Sequence, residues 1–246
     1  MTEEPYRWME AIENRRDYVR DQLRGGLAVV GLSLDEGVML VAIGPGKSKI
    51  YEVFDRQAMA GLGHPADIEK VRQSAIDAAH VESFTRDPED VALRRLVSYG
   101  MGPMMKTAFE QVFQPPLLTE WLLAEVSDKR SDDIFYRLHF DGVFQPVQGA
   151  VAVATLDSDG ESRAVHWLKD QVRKKTTRED AIRRALECIW LLCEFPAFPG
   201  DVPPEEERDA GWRKLVGERG VEVALLERET ERMARYRTLS GDDLPL

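Results

Sequence analysis

The chain has 246 residues, 43% of them hydrophobic and 31% charged, and a formal net charge of -11. Such a length and composition can bury the core of one large domain, while the acidic balance, with no Lys/Arg run interleaved with aromatics, opposes a nucleic-acid partner. No basic segment followed by an apolar stretch opens the sequence and no window approaches about 18 uncharged apolar residues, so neither a secretory signal nor a membrane partner is expected, and a cytoplasmic location is.

Taken in chain order, residues 6–24 place Met9, Ile12, Val19 and Leu23 on one helical stripe, and Gly25-Gly26 supplies a C-cap, which predicts a leading amphipathic helix. LAVVGLSL and VMLVAI follow, separated by Asp35, Glu36 and Gly37: two short β-branched runs that predict a buried hairpin. KIYEVFD and QAMAG read as two further strands after the loop GPGKS. Helices are expected from Pro65 to Phe84 and from Pro88 to Phe113, the second bent at Gly100, Gly102 and Pro103. Three strands come next, in LLTEWLLAEV, IFYRLHFDG and VQGAVAVAT. Two more helices follow, the second opened by a capping box from Thr176 to Glu179 and continuing its apolar face through Ile182, Leu186, Ile189 and Trp190. FPAFPGDVPPEEER has the proline and acid content of an exposed loop, VEVALLER reads as one last strand, and the rest as a polar tail.

Runs of strands alternating with pairs of helices are not the strict βαβα order of a doubly wound sheet. The class is α+β. Apolar strands without clean period-two alternation need cover on both faces, so a four-layer αββα sandwich of two stacked, mainly antiparallel sheets satisfies the pattern, although other α+β arrangements also fit it. A single domain over residues 1–246 is expected, with the helix at 6–24, the sandwich over 25–239 and the tail at 240–246.

Few residues offer chemistry of their own. Cys188 and Cys193 match neither a zinc nor a redox spacing and read as reduced core residues. His64, His80, His139 and His166 lie on four separate elements without ligand spacing, so neither a metal nor any cofactor is expected. Asp132-Asp133 and Asp242-Asp243 read as solvated loop carboxylates. GPGKS lacks the spacing and the following helix of a phosphate cradle.

The blocks RGGLAVVGLSLDEGVMLVA and KIYEVFDRQAMAGLGHPADIEKVRQSAIDAA resemble the first half of proteasome subunits, most closely α subunits of the actinobacterial type. The features that carry the match are Lys49, Phe54-Asp55-Arg56 and Ala60-Gly61-Leu62. LLAEV, YRLHFDG and VEVALLERETERMARYRTLSG agree in order with the second half. The resemblance implies the N-terminal-nucleophile hydrolase fold without its nucleophile. A working relative begins its first strand with a threonine whose free amine and hydroxyl act together. Leu27 stands there, inside a continuous chain after Gly26, and Ile43 stands where an aspartate is expected. No catalytic residue is therefore expected; of the three groups only the lysine, Lys49, remains.

The same resemblance implies an outer ring, of seven copies, that covers a β-subunit chamber, gates substrate entry and receives the carboxy-terminal tail of an ATPase activator. The implied activator pocket holds Lys49, Arg20 and Gly61, and Met9, Ile12, Val19 and Leu23 are the implied ring interface. Without the resemblance, Lys49 reads as a solvated charge at a strand edge and Arg20 as part of a surface ion pair. Two departures stand out: the Phe-Ser-Pro-Asp-Gly-Arg gate signature is absent, and the segment from Phe195 to Gly220 is particular to this chain. The alternative is a self-assembling hydrolase of this fold with another nucleophile, Ser33, Ser48 or Thr155.

Overall fold

The structure is a computed structural model that describes residues 4–44, 48–87, 91–155, 158–172, 176–195, 197–232, 234–241 and 244. Helix α1 (Glu4–Leu23) leads through Gly25, whose φ of 83° suits only glycine, into β1 (Val29–Ser33) and β2 (Gly37–Ile43). Every residue of both strands is buried, which follows from having apolar side chains on both faces. Val29, Val38, Leu40 and Ala42 enter a core shared with the second sheet. Val30, Leu32, Met39, Val41 and Ile43 point to the opposite side, into a core shared with helices.

Strands β3 (Ile50–Phe54) and β4 (Gln57–Gly63) form the next hairpin, and α2 (Pro65–Thr85) packs over it, with His64 Nδ1 accepting from the Ala66 N–H at its start. A short α3 (Leu93–Arg95), a π-helical turn over Leu96–Met101 and α4 (Gly102–Glu110) complete that layer. Strands β5 (Thr119–Glu125), β6 (Ile134–Leu138), β7 (Phe144–Val147) and β8 (Ala150–Val153) follow. Helices α5 (Ser158–Gln171), α6 (Arg178–Glu194) and α7 (Glu205–Arg219) come next, then β9 (Val221–Glu227) and β10 (Tyr236–Leu239). One sheet has the order β10-β9-β2-β1-β8 and the other β3-β4-β5-β6-β7, with every pairing antiparallel. The four layers of the αββα sandwich expected from the sequence are thus present. No described helix is long and apolar enough to cross a membrane.

Several local expectations are corrected. The expected helix start at Pro88 lies outside the described residues; the described helix begins at Leu93, whose N–H is capped by Glu125 Oε2 at 2.6 Å. Rather than a simple bend, its glycines accommodate a π turn in which the Gly102 N–H bonds the Val97 carbonyl. IFYRLHFDG does not continue as one strand, because Asp141 accepts from the Val143 N–H and Gly142 takes φ 82°, turning the chain into β7. The cap of α6 is one residue later than expected, with Thr177 accepting from the Asp180 N–H.

The largest correction is α7, in a segment read as loop. Pro204 precedes three acids in the first turn, a helix-start signal. Trp212 then buries itself against α6 and the first sheet, contributing about 1.5–3 kcal/mol for a large apolar side chain. Polar groups fix the contact further: the fully buried Glu187 accepts from Arg184 and from Arg208 of α7, and Arg183 reaches Asp209. Likewise β9 is not the last strand; β10 pairs with it from within the expected tail, and Tyr236 donates to the Ile50 carbonyl at 3.3 Å. Asp242-Asp243 lies outside the described residues.

Candidate functional site

The start of β1 is the place where sequence chemistry and structure converge. Gly26 N–H bonds the Leu23 carbonyl at 3.0 Å, so Leu27 enters β1 from an unbroken helix cap and its nitrogen is an ordinary amide. Ile43, at the end of β2, pairs with Val221 and is fully buried, which suits an aliphatic side chain and leaves no carboxylate there.

Lys49 sits beside both. Its Nζ donates to the Leu27 carbonyl at 3.2 Å, and its own N–H is held by Glu222 Oε2 at 2.7 Å. Glu222 also accepts from Ser48 Oγ. Gly44 leaves room for the lysine stem, since a Cβ there would lie 2.9 Å from Lys49 Cε. Desolvation lowers the lysine pKa below its ordinary 10.5, while Cys193 and Glu222 pull it back up and Arg219 lowers it. The result is a half-buried ammonium with one carbonyl partner and an acidic neighbour, able to pair with a carboxylate brought from outside.

The other two members of the expected pocket stand differently. Gly61 donates its N–H to the Lys49 carbonyl at 3.0 Å, so it is a backbone neighbour of the lysine. Its lack of a side chain serves the core, because a Cβ would fall 2.6 Å from the Trp121 ring. Arg20 is exposed on α1 and lines a separate cavity of about 480 Å³ with Arg16, Glu120, Arg137 and His139; Lys49 is not among its lining residues. At its base the Arg137–Glu161 ion pair and the His139–Glu120 contact at 3.2 Å are mostly withdrawn from solvent.

The expected ring stripe also divides. Val19 (0% exposed) and Leu23 (5%) belong to the protomer's own core, while Ile12 is partly buried, packing against that core and lining a surface depression with Trp8 and Val143. Met9 is the most open of the four, at 65%, and Trp8 and Tyr18 of α1 are exposed as well.

Among the remaining candidates, Ser33 is buried and donates to Asp133 Oδ2 at 2.5 Å, Ser48 is held by Glu222, and Thr155 lines the Arg20 cavity. Asp133, read as a solvated carboxylate, is instead buried and gripped by Arg228 through two 2.7 Å bonds. Cys188 is in the core as expected, but Cys193 is exposed at the end of α6; desolvation raises its thiol pKa against the pull of the Ala28 N–H, Lys49 and Arg219. Glu222 and Cys193 escaped sequence reasoning because they lie 173 and 144 positions beyond Lys49, with no spacing that joins them. Among the described residues, no group of three or more His, Cys, Asp or Glu side chains could hold a metal ion.

Comparison with known proteins bears on this arrangement. The family model described as "Proteasome subunit" matches residues 23–197. A protein named "Proteasome subunit alpha" from Pseudarthrobacter chlorophenolicus is 32% identical over 245 residues, covering 96% of this chain and 94% of its own length. Its namesake from Actinosynnema mirum is 29% identical over 238 residues, 96% of this chain and 83% of that one. Another from an Arthrobacter strain is 36% identical over 138 residues, 54% of this chain and 57% of its own.

Proposed function

Because the chain belongs to the family of bacterial proteasome α subunits, we propose that its role is architectural and non-catalytic. Copies of it, seven by family resemblance, form the outer ring over a β-subunit chamber in the cytoplasm, restrict entry to that chamber and receive the carboxy-terminal tail of an ATPase activator. The observation that carries the non-catalytic reading is Leu27 itself. An N-terminal nucleophile needs a free amine and a hydroxyl on one residue, and here an aliphatic side chain follows a hydrogen-bonded Gly26 amide while Lys49 Nζ donates to the Leu27 carbonyl. Of the alternative nucleophiles, Ser33 is inaccessible, and Ser48 and Thr155 stand outside β1.

For the docking role the supporting feature is the same lysine. A terminal carboxylate gains a charge-assisted bond from a partly desolvated ammonium, and Lys49 has the exposure and the single carbonyl partner that leave it able to make one. Arg20, which lines the other cavity, joins this site if the pocket spans two protomers, one contributing Lys49 and its neighbour contributing Arg20. The deciding experiment uses the assembled complex with its β subunit. Lys49→Ala is expected to reduce activator-stimulated degradation of a protein substrate at least tenfold while leaving hydrolysis of short peptides unchanged. Equal stimulation in both variants removes Lys49 from the role. Covalent labelling of the isolated chain by an electrophilic peptidase inhibitor, seen by intact mass, would overturn the non-catalytic reading as well.

A further inference from the structure

Beside the start of β1 stands a second cation, brought there by the helix that the sequence had hidden in a loop. Helix α7 ends at Arg219, Gly220 takes φ 78°, and its carbonyl accepts from the Gly44 N–H at 3.3 Å as the chain turns into β9. Gly44 is also the residue against which Lys49 lies, a Cβ there falling 2.9 Å from Lys49 Cε and 3.6 Å from Nζ. Arg219 therefore adjoins a backbone contact whose other side carries the Lys49 ammonium. Cys193 closes the triangle: desolvation raises its thiol pKa, and the Ala28 N–H, Lys49 and Arg219 all pull it down.

Elsewhere between α6 and α7 the arginines are engaged inside the protomer, Arg183 with Asp209 and Glu205, Arg184 and Arg208 with Glu187. Arg219 is exposed, and among the described residues neither it nor Lys49 has a carboxylate at ion-pair distance. Glu222 is engaged through both oxygens, one taking Ser48 Oγ and the other the Lys49 N–H. A cation at the last turn of α7 complements the helix dipole wherever it points, but the dipole does not require it to stand beside a second positive charge. That juxtaposition adds to the desolvation of Lys49 in lowering its pKa, a cost that a ligand with two negative charges relieves. The two cations also differ in depth: Lys49 is half-buried and Arg219 lies open to solvent. Lys49 and Cys193 fall within the stretch that the family model matches, residues 23–197, and Arg219 falls beyond it.

Resting on the docking role proposed above for Lys49, we infer that Arg219 is a specificity-determining residue of the same site. Lys49 takes the terminal carboxylate of the docking tail, and Arg219, at the mouth, takes an acidic side chain close to that terminus. The partner is thus a peptide end with two negative charges, and the planar guanidinium suits the bidentate grip of a carboxylate.

The test uses the assembled complex, its β subunit inhibited, and labelled short Gly/Ala peptides ending in a free carboxylate, with Glu or Gln in either of the two positions before the last residue. Fluorescence anisotropy at low salt should show the better Glu peptide binding about threefold more tightly than its Gln counterpart, the size of one exposed ion pair, with the difference fading as salt rises. Arg219→Gln should abolish that difference and Arg219→Lys restore it. Preference for a free carboxylate over a carboxamide should persist in both and disappear in Lys49→Ala. A merely structural arginine would not move the alkaline limb of carboxylate binding. Without the Arg219 charge, Lys49 still faces Cys193 of α6, Glu222 of β9 and the Leu27 carbonyl, and it stays charged to higher pH, so in Arg219→Gln the limb shifts upward. Equal binding of Glu and Gln peptides by the wild-type complex, a Glu preference that survives Arg219→Gln, or an unmoved limb overturns the role of Arg219 and leaves that of Lys49 standing. A wild-type complex indifferent to the terminal carboxylate sinks both.

Discussion

Where β1 turns into β2, Arg228 places two bonds on the buried Asp133, which also accepts from Ser33 Oγ and the Ser127 N–H, while Arg228 reaches the carbonyl of Leu34. Where β1 begins, at the other end of the sandwich, polar groups are fewer and half open: Lys49 on the Leu27 carbonyl, Glu222 on the Lys49 amide, Cys193 at the surface. The first end has satisfied donors and acceptors throughout and nothing left to offer a ligand. The second retains an ammonium with spare hydrogen-bonding capacity. In this fold the denser polar cluster ties two sheets together, and the sparser one is the candidate for recognition.

Breaking the dense end should have the largest effect. Asp133→Ala strands the buried Arg228 guanidinium and is expected to cost about 3–5 kcal/mol, read as a fall of roughly 10 °C in the thermal unfolding midpoint. A fall below about 2 °C would mean that the network is not a structural tie. An intermediate effect is expected near the sparse end from Gly61→Ala, whose methyl presses on the Trp121 ring; chemical denaturation should register about 1–3 kcal/mol without any change in the unfolding slope. Smallest in stability, and most informative about function, is the pH response of Lys49. Burial lowers its pKa, so its charge is lost as pH rises through a value below the ordinary 10.5. Activator-stimulated degradation should decline on that alkaline limb, and Lys49→Arg, charged throughout, should remove the decline. Identical alkaline profiles in the two proteins would show that the limb belongs to another group.

Much of the layer order was legible because the apolar runs of β1, β2 and β5 are too short for helices and lack polar faces, which requires cover on both sides. Failure came where local composition and tertiary context disagreed. The prolines before Glu205 read as loop although they open α7, since the value of Trp212 depends on Trp190 of α6, 22 positions away. Tyr236–Leu239 is half polar and becomes a strand only because β9 offers it a partner. Asp133 looked solvated because Arg228 is 95 positions distant. At the candidate site, Leu27, Ile43 and Lys49 were readable only through the family resemblance, whereas an Arg20 cavity without Lys49 and the burial of Val19 and Leu23 were consequences of how α1 lies on the sheets.

The π turn between α3 and α4 has a bearing on how this layer tolerates change. An α-helix advances by about 100° per residue, so the one extra residue accommodated between Val97 and Gly102 sets the angular phase of all that follows. That phase directs Met105 and Phe109 inward. A single-residue deletion there would restore regular α winding and leave both side chains facing inward, while a substitution at Gly102 would collide with the Val97 carbonyl. The segment thus behaves as a vernier that takes up a one-residue difference in length while the packing against the second sheet keeps its phase.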